Sequence, residues 1–232
     1  MPTIMRFMSA SSVKRTGVVA CTLLAAVLQL AAAQGKLSVE DLKIRAEAGN
    51  KTATRLLAEA YYLGREGVEQ DFGEAARWYL KLAQQGDVRA QTTIGLMYSR
   101  GYGVKKDPQA AHRWWSFAAA ANDAGAQYNL ALAYANGDGL AQDYSQAAQW
   151  YSQAAQRTHV QAQFNLGMLY HEGKGVAHDP VRAYYWVKVA SLQGDELAQE
   201  TLKRIGAGMS AEQITQAEAQ ADEWMRKAKK AK

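Results

Sequence analysis

The stretch that decides the fold is AQYNLALAYANGDGLAQDYSQAAQWYSQAAQ, residues 126–156. Its main landmark residues recur every 36 positions along the chain. The recurring positions are Tyr98, Tyr134 and Tyr170; Asp71, Asp107, Asp143 and Asp179; and Trp78, Trp114, Trp150 and Trp186. A fixed period of this size is typical of proteins built from repeated structural units.

The composition favours a folded, helical protein. The 232 residues are 48% hydrophobic, which is too apolar for a disordered chain. There are only three prolines, and proline interrupts helices. The formal net charge is +5, but three positive charges lie within the first 33 residues, on Arg6, Lys14 and Arg15. The remaining balance is weak and no basic stripe alternates with aromatic residues, so nucleic acid is not predicted as a partner.

The first 33 residues have the layout of a signal peptide. Basic residues precede an apolar run at Gly17–Leu30, and three alanines ending at Ala33 suit cleavage there. The mature chain would begin near Gln34, reside in the periplasm or outside the cell, and have no stable membrane insertion. The single cysteine, Cys21, would be removed with the leader. An uncleaved leader that anchors the chain in a membrane is the alternative.

The first half of each unit predicts a helix with one buried face. Ala126, Leu130 and Tyr134 are four residues apart, which places them on one side of a helix. The position after the leucine is Ala131 here and glycine in both neighbouring units, so we expect a close helix contact at this point. Gly137 can then take the left-handed conformation that ends a helix.

The second half of each unit predicts a second helix that begins at the recurring aspartate. Aspartate is a favoured N-cap, and Asp71 and Glu74 have the spacing of a capping box. In two units a proline follows the aspartate, where its missing N–H costs nothing. Ala147, Trp150 and Ala154 share one face of this helix, so we expect the recurring tryptophans to pack in the core.

One position ends a helix before each new unit begins. The residues at this position are Gly49, Gly86, Asn122, Thr158 and Gly194. The first interval is 37 and the others are 36, because the loop Gly64–Val68 has one residue more than the later G-x-G loops. Threonine is a poor helix terminator, so we expect the turn at Thr158 to differ from the others.

The repeat array should span residues 50–199, with different elements at either end. Residues 34–49 predict an N-terminal capping helix, which Ser38 and Asp41 begin as a capping box. Residues 200–232 predict a half-repeat, a capping helix that starts after Ser210, and a frayed basic tail. A stacked array needs such ends because its terminal repeats would otherwise expose an apolar face.

These residues resemble the Sel1-like repeat family through the pattern A-x-Y-N-L-[GA]-x-x-Y-x-x-G-x-G-[VL]-x-x-D-x-x-x-A-x-x-W-[YW]-x-x-A-A. Ala126–Ala155 matches it best, Ala162–Ala190 follows, and the resemblance covers roughly Ala53 to Gln199. It implies an all-α, right-handed α-solenoid of about four helix-turn-helix repeats. It also implies scaffolding of protein complexes rather than catalysis. Tetratricopeptide arrays are the alternative fold, but their 34-residue unit lacks the G-x-G loop.

Some exported relatives have a cysteine pair in each repeat and are linked to β-lactam binding or hydrolysis. Those cysteines are absent from this sequence, which argues against that activity.

No other residue set predicts catalysis, a metal site or a cofactor. His171 and His178 flank one loop, but no second pair at metal-ligand spacing accompanies them. The loop glycines lack a preceding strand and a following lysine, so phosphate binding is not predicted. No serine–histidine–aspartate or cysteine–histidine set stands out. We therefore expect no enzyme activity, no catalytic residue, no metal ion and no cofactor.

If the array binds a partner, first-helix residues beside the core stripe should face its concave side. The repeat register assigns this surface to Leu56, Glu59 and Leu63; Thr93, Leu96 and Arg100; Asn129, Leu132 and Asn136; and Asn165, Met168 and Glu172. The leucines and methionine would form a partly apolar floor. The amides of Asn129 and Asn165 either bind the backbone of an extended peptide, as in related repeats, or satisfy a neighbouring helix. The sequence leaves both interpretations open.

The sequence favours an exported protein–protein interaction scaffold. Its groove would hold a protein of the bacterial cell envelope or of a host, and would supply geometry and effective concentration rather than chemistry. Direct binding of cell-wall glycans is one alternative. An enzyme that acts on β-lactams or cell-wall fragments is another, and it would need a nucleophile or metal site found in one repeat alone.

Overall fold

The computed structural model describes residues 38–230, and every regular element within them is an α-helix. In chain order these are α1 Val39–Glu47, α2 Lys51–Leu63, α3 Phe72–Gln84, α4 Val88–Arg100, α5 Pro108–Ala120, α6 Ala124–Asn136, α7 Tyr144–Gln156, α8 Val160–Glu172, α9 Pro180–Ser191, α10 Glu196–Gly206 and α11 Ala211–Lys230. The predicted all-α class is confirmed. The predicted signal peptide, with Cys21, lies outside the described residues. Within residues 38–230, no helix has the length and apolar character needed to cross a bilayer.

The described chain divides into two compact units, with the boundary between Gln70 and Asp71. The described part of the first unit contains α1 and α2, which pack on each other. The Asp41 N–H donates to Ser38 Oγ (3.1 Å), and the Ser38 N–H donates to the Asp41 carboxylate (3.2 Å). The predicted capping box and the helix that it begins are confirmed.

In the second unit, consecutive helices from α3 to α10 pack on each other in chain order. The last helix, α11, packs instead on α9. Its Ala217 is fully buried in a cluster with Tyr184 and Val187 of α9. Lys188 Nζ of α9 forms an ion pair with the Glu218 carboxylate of α11 (2.8 Å). The terminal helix therefore covers an apolar face of the last repeat, as a stacked array requires.

The last helix extends farther than the sequence predicted. The basic residues from Lys227 onward were expected to form a frayed tail, but α11 continues through Lys230. Lys227 Nζ forms an ion pair with the carboxylate of Glu223, four residues earlier (2.7 Å), and such pairs support exposed helices. Lysines in a last turn also interact favourably with the helix dipole. The prediction of a frayed tail is thus wrong for residues 227–230, which are helical.

Polar side chains cap both helices of each repeat. The predicted caps of the second helices are confirmed at Asp71, Asp107, Asp143 and Asp179. A second periodic set, which was not predicted from the sequence, caps the first helices: Asn50, Asp87, Asp123, His159 and Asp195. The Asp71–Glu74 capping box is only half formed. The Glu74 carboxylate accepts instead from the Trp78 indole N–H, at 3.1 Å.

Thr158 forms the same turn as its equivalents, so the expectation of a different turn is wrong. Its φ is +64°, close to the +66° of Asn122. The Thr158 N–H donates to the Ala155 carbonyl (3.1 Å) and the His159 N–H to the Ala154 carbonyl (3.1 Å). The same two bonds hold the turn at Asn122. They stabilise a left-handed conformation that costs a residue with a Cβ about 1–2 kcal/mol.

The residues that the second helices bury in the core differ from the prediction by one position in most repeats. Of the recurring tryptophans, Trp78 and Trp186 are buried, whereas Trp114 and Trp150 are half-buried. In the last three repeats the more buried residue is the next one: Trp115, Tyr151 and Val187. These residues pack against the small residue of the first helix. A Cβ on Gly95 would lie 2.5 Å from Trp115 Nε1, and one on Gly167 would lie 2.6 Å from Val187. The predicted close contact is therefore confirmed, and the tryptophan core is only partly so.

In each of three repeats, a buried glutamine donates a hydrogen bond to a backbone carbonyl at the end of the preceding repeat's second helix. The bonds run from the Nε2 groups of Gln91, Gln127 and Gln163 to the carbonyls of Ala83, Ala119 and Ala155, at 3.2, 3.3 and 3.0 Å. An unpaired carbonyl in this buried place would cost about 1–3 kcal/mol. The Ala-Gln pair recurs every 36 residues, and this is the signal from which the role could have been predicted.

The second glycine of each G-x-G loop packs against the backbone of the preceding repeat. Gly137 ends α6 with φ +75°, as predicted. Gly139 follows with φ +79°, and a Cβ there would lie 2.7 Å from the carbonyl carbon of Pro108, in the first turn of α5. The equivalent contacts are those of Gly103 with Phe72 and of Gly175 with Tyr144. No room remains for a side chain between these neighbouring repeats.

We expect Gly139→Ala to lower the free energy of unfolding by about 2–4 kcal/mol, clearly more than Gly86→Ala. The two glycines have nearly the same φ, +79° and +80°, so the backbone strain is matched. A Cβ at Gly86 would meet no atom within 4 Å, whereas one at Gly139 overlaps Pro108. Urea unfolding followed by circular dichroism measures both losses, and equal losses would contradict the packing role.

His159 is the histidine among the first-helix caps. The Ala162 N–H donates to its Nδ1 (3.4 Å), so this nitrogen must be unprotonated. Burial lowers the pKa of His159, and the charge of Asp123 opposes that shift. The unfolded chain therefore takes up a proton first, and stability is lost as the pH falls below about 6.5.

We expect His159→Asn to reduce the loss of unfolding free energy between pH 7.5 and pH 5.5. Asparagine stays neutral in this range, and Asn50 already caps α2 at 2.9 Å. Some pH dependence should remain, because burial and the charge of Arg113 also lower the pKa of His112. Urea unfolding at the two pH values measures the difference, and no change from the wild type would refute the role of His159.

Candidate functional site

The predicted groove residues lie on the first helix of each repeat, in α2, α4, α6 and α8. Leu56, Glu59 and Leu63 belong to α2 in the first unit and are exposed. In the second unit, Thr93, Leu96, Asn129, Leu132, Asn165 and Met168 are half-buried, and Arg100, Asn136 and Glu172 are exposed. Such a surface can bind a partner where it is concave and where its polar groups are available.

One cleft of the second unit brings five predicted residues together: Leu96, Arg100, Asn129, Leu132 and Asn136. Its volume is about 400 Å³, and residues of α4, α5 and α6 contribute to it. The remaining lining residues are Ser99, Lys106, Pro108, Trp115, Ala133 and Asp138. This space is named the central cleft below. The other predicted residues do not line this cleft.

The central cleft has an apolar floor. Leu96 and Leu132 are half-buried in it, and Trp115 is 6% exposed. The Trp115 indole N–H donates to the Thr92 carbonyl (3.2 Å), so its polar atom is used inside the fold. Burying an apolar side chain against this floor would be favourable because it removes the side chain from water.

The two predicted asparagines have different environments. The Asn165 side-chain N–H donates to the Tyr151 hydroxyl (3.1 Å). The Asn129 amide has no hydrogen-bond partner among residues 38–230. Trp115 takes the place of Tyr151 in the preceding repeat, and its ring has no oxygen that Asn129 could use. Asn165 therefore has a structural role, whereas the Asn129 amide is available in the central cleft.

The hydrogen bond of Asn165 belongs to an aromatic cluster. Burial is the main cause that raises the pKa of Tyr151 well above its usual range, so its hydroxyl stays neutral. The Tyr128 ring lies 5.9 Å from the Tyr151 ring and stacks on His159 at 4.4 Å, between centroids. This cluster fixes the Asn165 side chain in one place.

Other predicted residues have internal partners or lie outside the central cleft. The Thr93 hydroxyl donates back to the carbonyl of Arg89 on its own helix (2.9 Å). The Glu172 carboxylate pairs with Lys174 Nζ (2.7 Å). Met168 is on α8 and does not line the central cleft. Residues at equivalent positions of the repeat therefore have different surroundings.

A second cavity, of about 420 Å³, was not predicted from the sequence. It is lined by Ser152, Tyr170, Arg182, Tyr185, Trp186, Gln220, Glu223, Trp224 and Lys227. Its charges are paired internally, Arg182 with Asp179 (3.4 Å) and Lys227 with Glu223 (2.7 Å). Burial, with the charge of Glu223, raises the pKa of Tyr185 to about 12. The cavity depends on where α11 packs, which the repeat pattern does not specify.

The described residues contain no cluster of three or more histidine, cysteine, aspartate or glutamate side chains that could hold a metal ion. The rings of His171 and His178 are 6.4 Å apart. The Nδ1 atom of His178 hydrogen-bonds the carbonyl of His171 (2.8 Å), which closes the loop between them. This pair therefore has a structural role in its loop.

We expect the two asparagines to differ in their effect on stability. Asn165→Ala removes the partner of the Tyr151 hydroxyl and should lower the free energy of unfolding by about 1 kcal/mol. Asn129→Ala breaks no internal hydrogen bond and should change it by less than about 0.5 kcal/mol. Urea unfolding of both variants makes the comparison. A similar loss in each would show that the Asn129 amide is engaged in the fold.

Two solved bacterial structures have similar folds. One is a protective antigen of uropathogenic Escherichia coli strains with an SLR fold, at 34% identity and a TM-score of 0.76. That alignment covers 82% of this chain and 41% of the antigen. The other is a Sel1 repeat protein from Oxalobacter formigenes, at 33% identity and a TM-score of 0.67, with 84% of this chain and 78% of that chain covered.

The sequence is also similar to an ERAD-associated E3 ubiquitin-protein ligase component, HRD3A, of Arabidopsis thaliana. The identity is 33% over 60 residues, which is 26% of this chain and 9% of that protein, so the chain matches only a small part of it. The family model of the Sel1 repeat matches four times in succession, at residues 52–87, 88–123, 124–159 and 160–195. These matches cover more than half of the chain, and the chain belongs to the Sel1 repeat family.

Proposed function

We propose that this protein is an exported, non-enzymatic scaffold that holds a segment of a protein partner in the central cleft, in a process of the bacterial cell envelope. Sel1 repeat proteins generally mediate protein–protein interactions, and four such repeats form most of this chain. The observation that carries the proposal is the Asn129 amide, which has no partner among residues 38–230 and lies above an apolar floor.

An extended polypeptide suits the groups in the central cleft. The Asn129 amide can donate to a peptide carbonyl and accept from a peptide N–H. Successive side chains of an extended segment point to opposite sides, so one of them can pack on Leu96 and Leu132 while the next faces solvent. Both kinds of contact are needed, because an isolated exposed amide adds little affinity.

The array itself would contribute position rather than chemistry. Backbone contacts at Gly139 and buried glutamines such as Gln127 hold successive repeats in a fixed arrangement. A rigid site loses less conformational entropy when it binds. A scaffold that holds one protein beside another raises their effective concentration without any reaction of its own.

Export is supported by the leader of the chain. Its basic residues, its apolar run and the alanines that end at Ala33 form the pattern that export machinery recognises. A mature chain from Gln34 has no cysteine, which suits a protein without disulfides in an oxidising compartment. The similarity to a protective antigen of uropathogenic Escherichia coli also favours export, because protective antigens are generally exposed at the cell surface or secreted.

A photoreactive amino acid at Ser99 tests the central cleft in producing cells. Ser99 lines the cleft, so irradiation should link this position to a discrete protein. Asn129→Ala in the same chain should reduce the yield of this adduct at least about fivefold, as expected for a group that contacts the partner. Gln149 on α7 is exposed and does not line the cleft, and it serves as the control position.

Fractionation of the same cells tests export. We expect the adduct in the periplasmic fraction, with a chain that begins at Gln34. An adduct that forms equally well from Gln149, or that persists after Asn129→Ala, would exclude the central cleft as the binding site. A chain found in the membrane with its leader intact would exclude the cleaved, exported form.

A further inference from the structure

The central cleft contains two cations without an anionic partner. Arg100, at the end of α4, and Lys106, in the following loop, both line the cleft and are exposed. Neither forms an ion pair with any residue from 38 to 230. The lining carboxylate, Asp138, accepts a hydrogen bond from the Asn136 amide (3.4 Å). The cleft thus has an excess of positive charge beside its apolar floor.

Lys106 departs from the role of its equivalents in the other repeats. Those side chains close the loop by bonding a carbonyl near the end of the first helix: Gln70 with Tyr62 (2.8 Å), Gln142 with Ala135 (2.7 Å) and His178 with His171 (2.8 Å). The corresponding carbonyl in the second repeat belongs to Ser99. No bond joins it to Lys106 within the described chain, so the ammonium group of Lys106 is not used to close its loop.

Arg100 also differs from its equivalents. The residues at this position are Leu63, Arg100, Asn136 and Glu172. Glu172 is paired with Lys174 (2.7 Å), so the fourth repeat neutralises its own charge. The third repeat has the neutral Asn136 at this place and Gln142 at the place of Lys106. Two unpaired cations of the second repeat therefore line the same cleft as the available amide of Asn129, which belongs to the third repeat.

We propose that the segment held in the central cleft carries a carboxylate, which Arg100 and Lys106 bind while the adjoining peptide group binds Asn129. This inference rests on the proposed scaffold function and specifies the chemistry of its partner. An apolar side chain next to the acidic group packs on Leu96 and Leu132. The partner is thus an acidic and apolar polypeptide segment in an extended conformation.

A carboxylate suits these two cations for physical reasons. The planar guanidinium of Arg100 can donate two parallel hydrogen bonds to both carboxylate oxygens, and the flexible Lys106 adds a point charge. Both side chains are exposed, so the attraction is screened by salt and the affinity should fall as ionic strength rises. The carboxylate can belong to an aspartate or glutamate side chain or to a chain terminus, because both present the same group.

The test uses two random peptide libraries that are alike except for a free or an amidated C-terminus. Both are selected on the purified protein, and we expect enrichment of an acidic residue next to an apolar one. A selected peptide should bind about tenfold more weakly to Arg100→Glu and to Lys106→Glu. Lys203→Glu, on the exposed surface of α10, makes the same change in net charge far along the array from the central cleft and should alter binding by less than about twofold. Circular dichroism checks that each variant is folded.

The outcomes distinguish the proposed carboxylate binding from the proposed scaffold function. Acidic residues enriched in both libraries assign the carboxylate to a side chain, and enrichment only with a free C-terminus assigns it to the chain end. Peptides that lose binding upon Asn129→Ala but show no acidic preference, or that respond equally to Lys203→Glu, would rule out the bound carboxylate and leave the proposed scaffold function standing. If no enriched peptide loses binding upon Asn129→Ala, both proposals fail.

Discussion

The contact between a loop glycine and the end of a neighbouring helix governs the arrangement of the repeats. At Gly139 and its equivalents, the loop touches the first turn of the preceding repeat's second helix with no space for a Cβ. A packed contact of this kind tolerates little change in distance, so loop length, cap positions and helices of 13 residues must repeat together. Gly67, in the longer loop of the first repeat, meets no atom within 4 Å, and that loop precedes the boundary between the two compact units.

The period predicted the helices and their caps because these depend on few neighbouring residues. An aspartate at an N-cap or a glycine at a left-handed turn acts through its own backbone. The core was predicted less well, since Trp150 and Tyr151 are adjacent and the period does not show which one faces the partner helix. That choice depends on the small residue across the contact, such as Ala131. At Thr158 the hydrogen bonds of the turn overcame the poor preference of threonine for a left-handed conformation.

The sequence predicted which residues lie on the candidate surface, but not which of their polar groups lack a hydrogen-bond partner inside the protein. The register brought five expected side chains into one cleft. Asn129 and Asn165 occupy the same place in the repeat, and they differ because Trp115 and Tyr151, each fourteen residues earlier, present different atoms. Lys106 was not singled out, because what distinguishes it is the absence of the loop bond that its equivalents form. Only the contacts between helices and loops could reveal either difference.

The contact at Gly139 also means that a whole repeat can be duplicated in the gene without loss of packing between repeats. A tandem duplication of 36 codons copies both backbone partners, so an added repeat meets its neighbour in register at once. A duplication of another length would move the glycine away from the helix end that it must touch. Surface residues beside each contact can change without disturbing the glycines. An array of this kind can therefore grow by whole repeats while the surface of each repeat diverges separately.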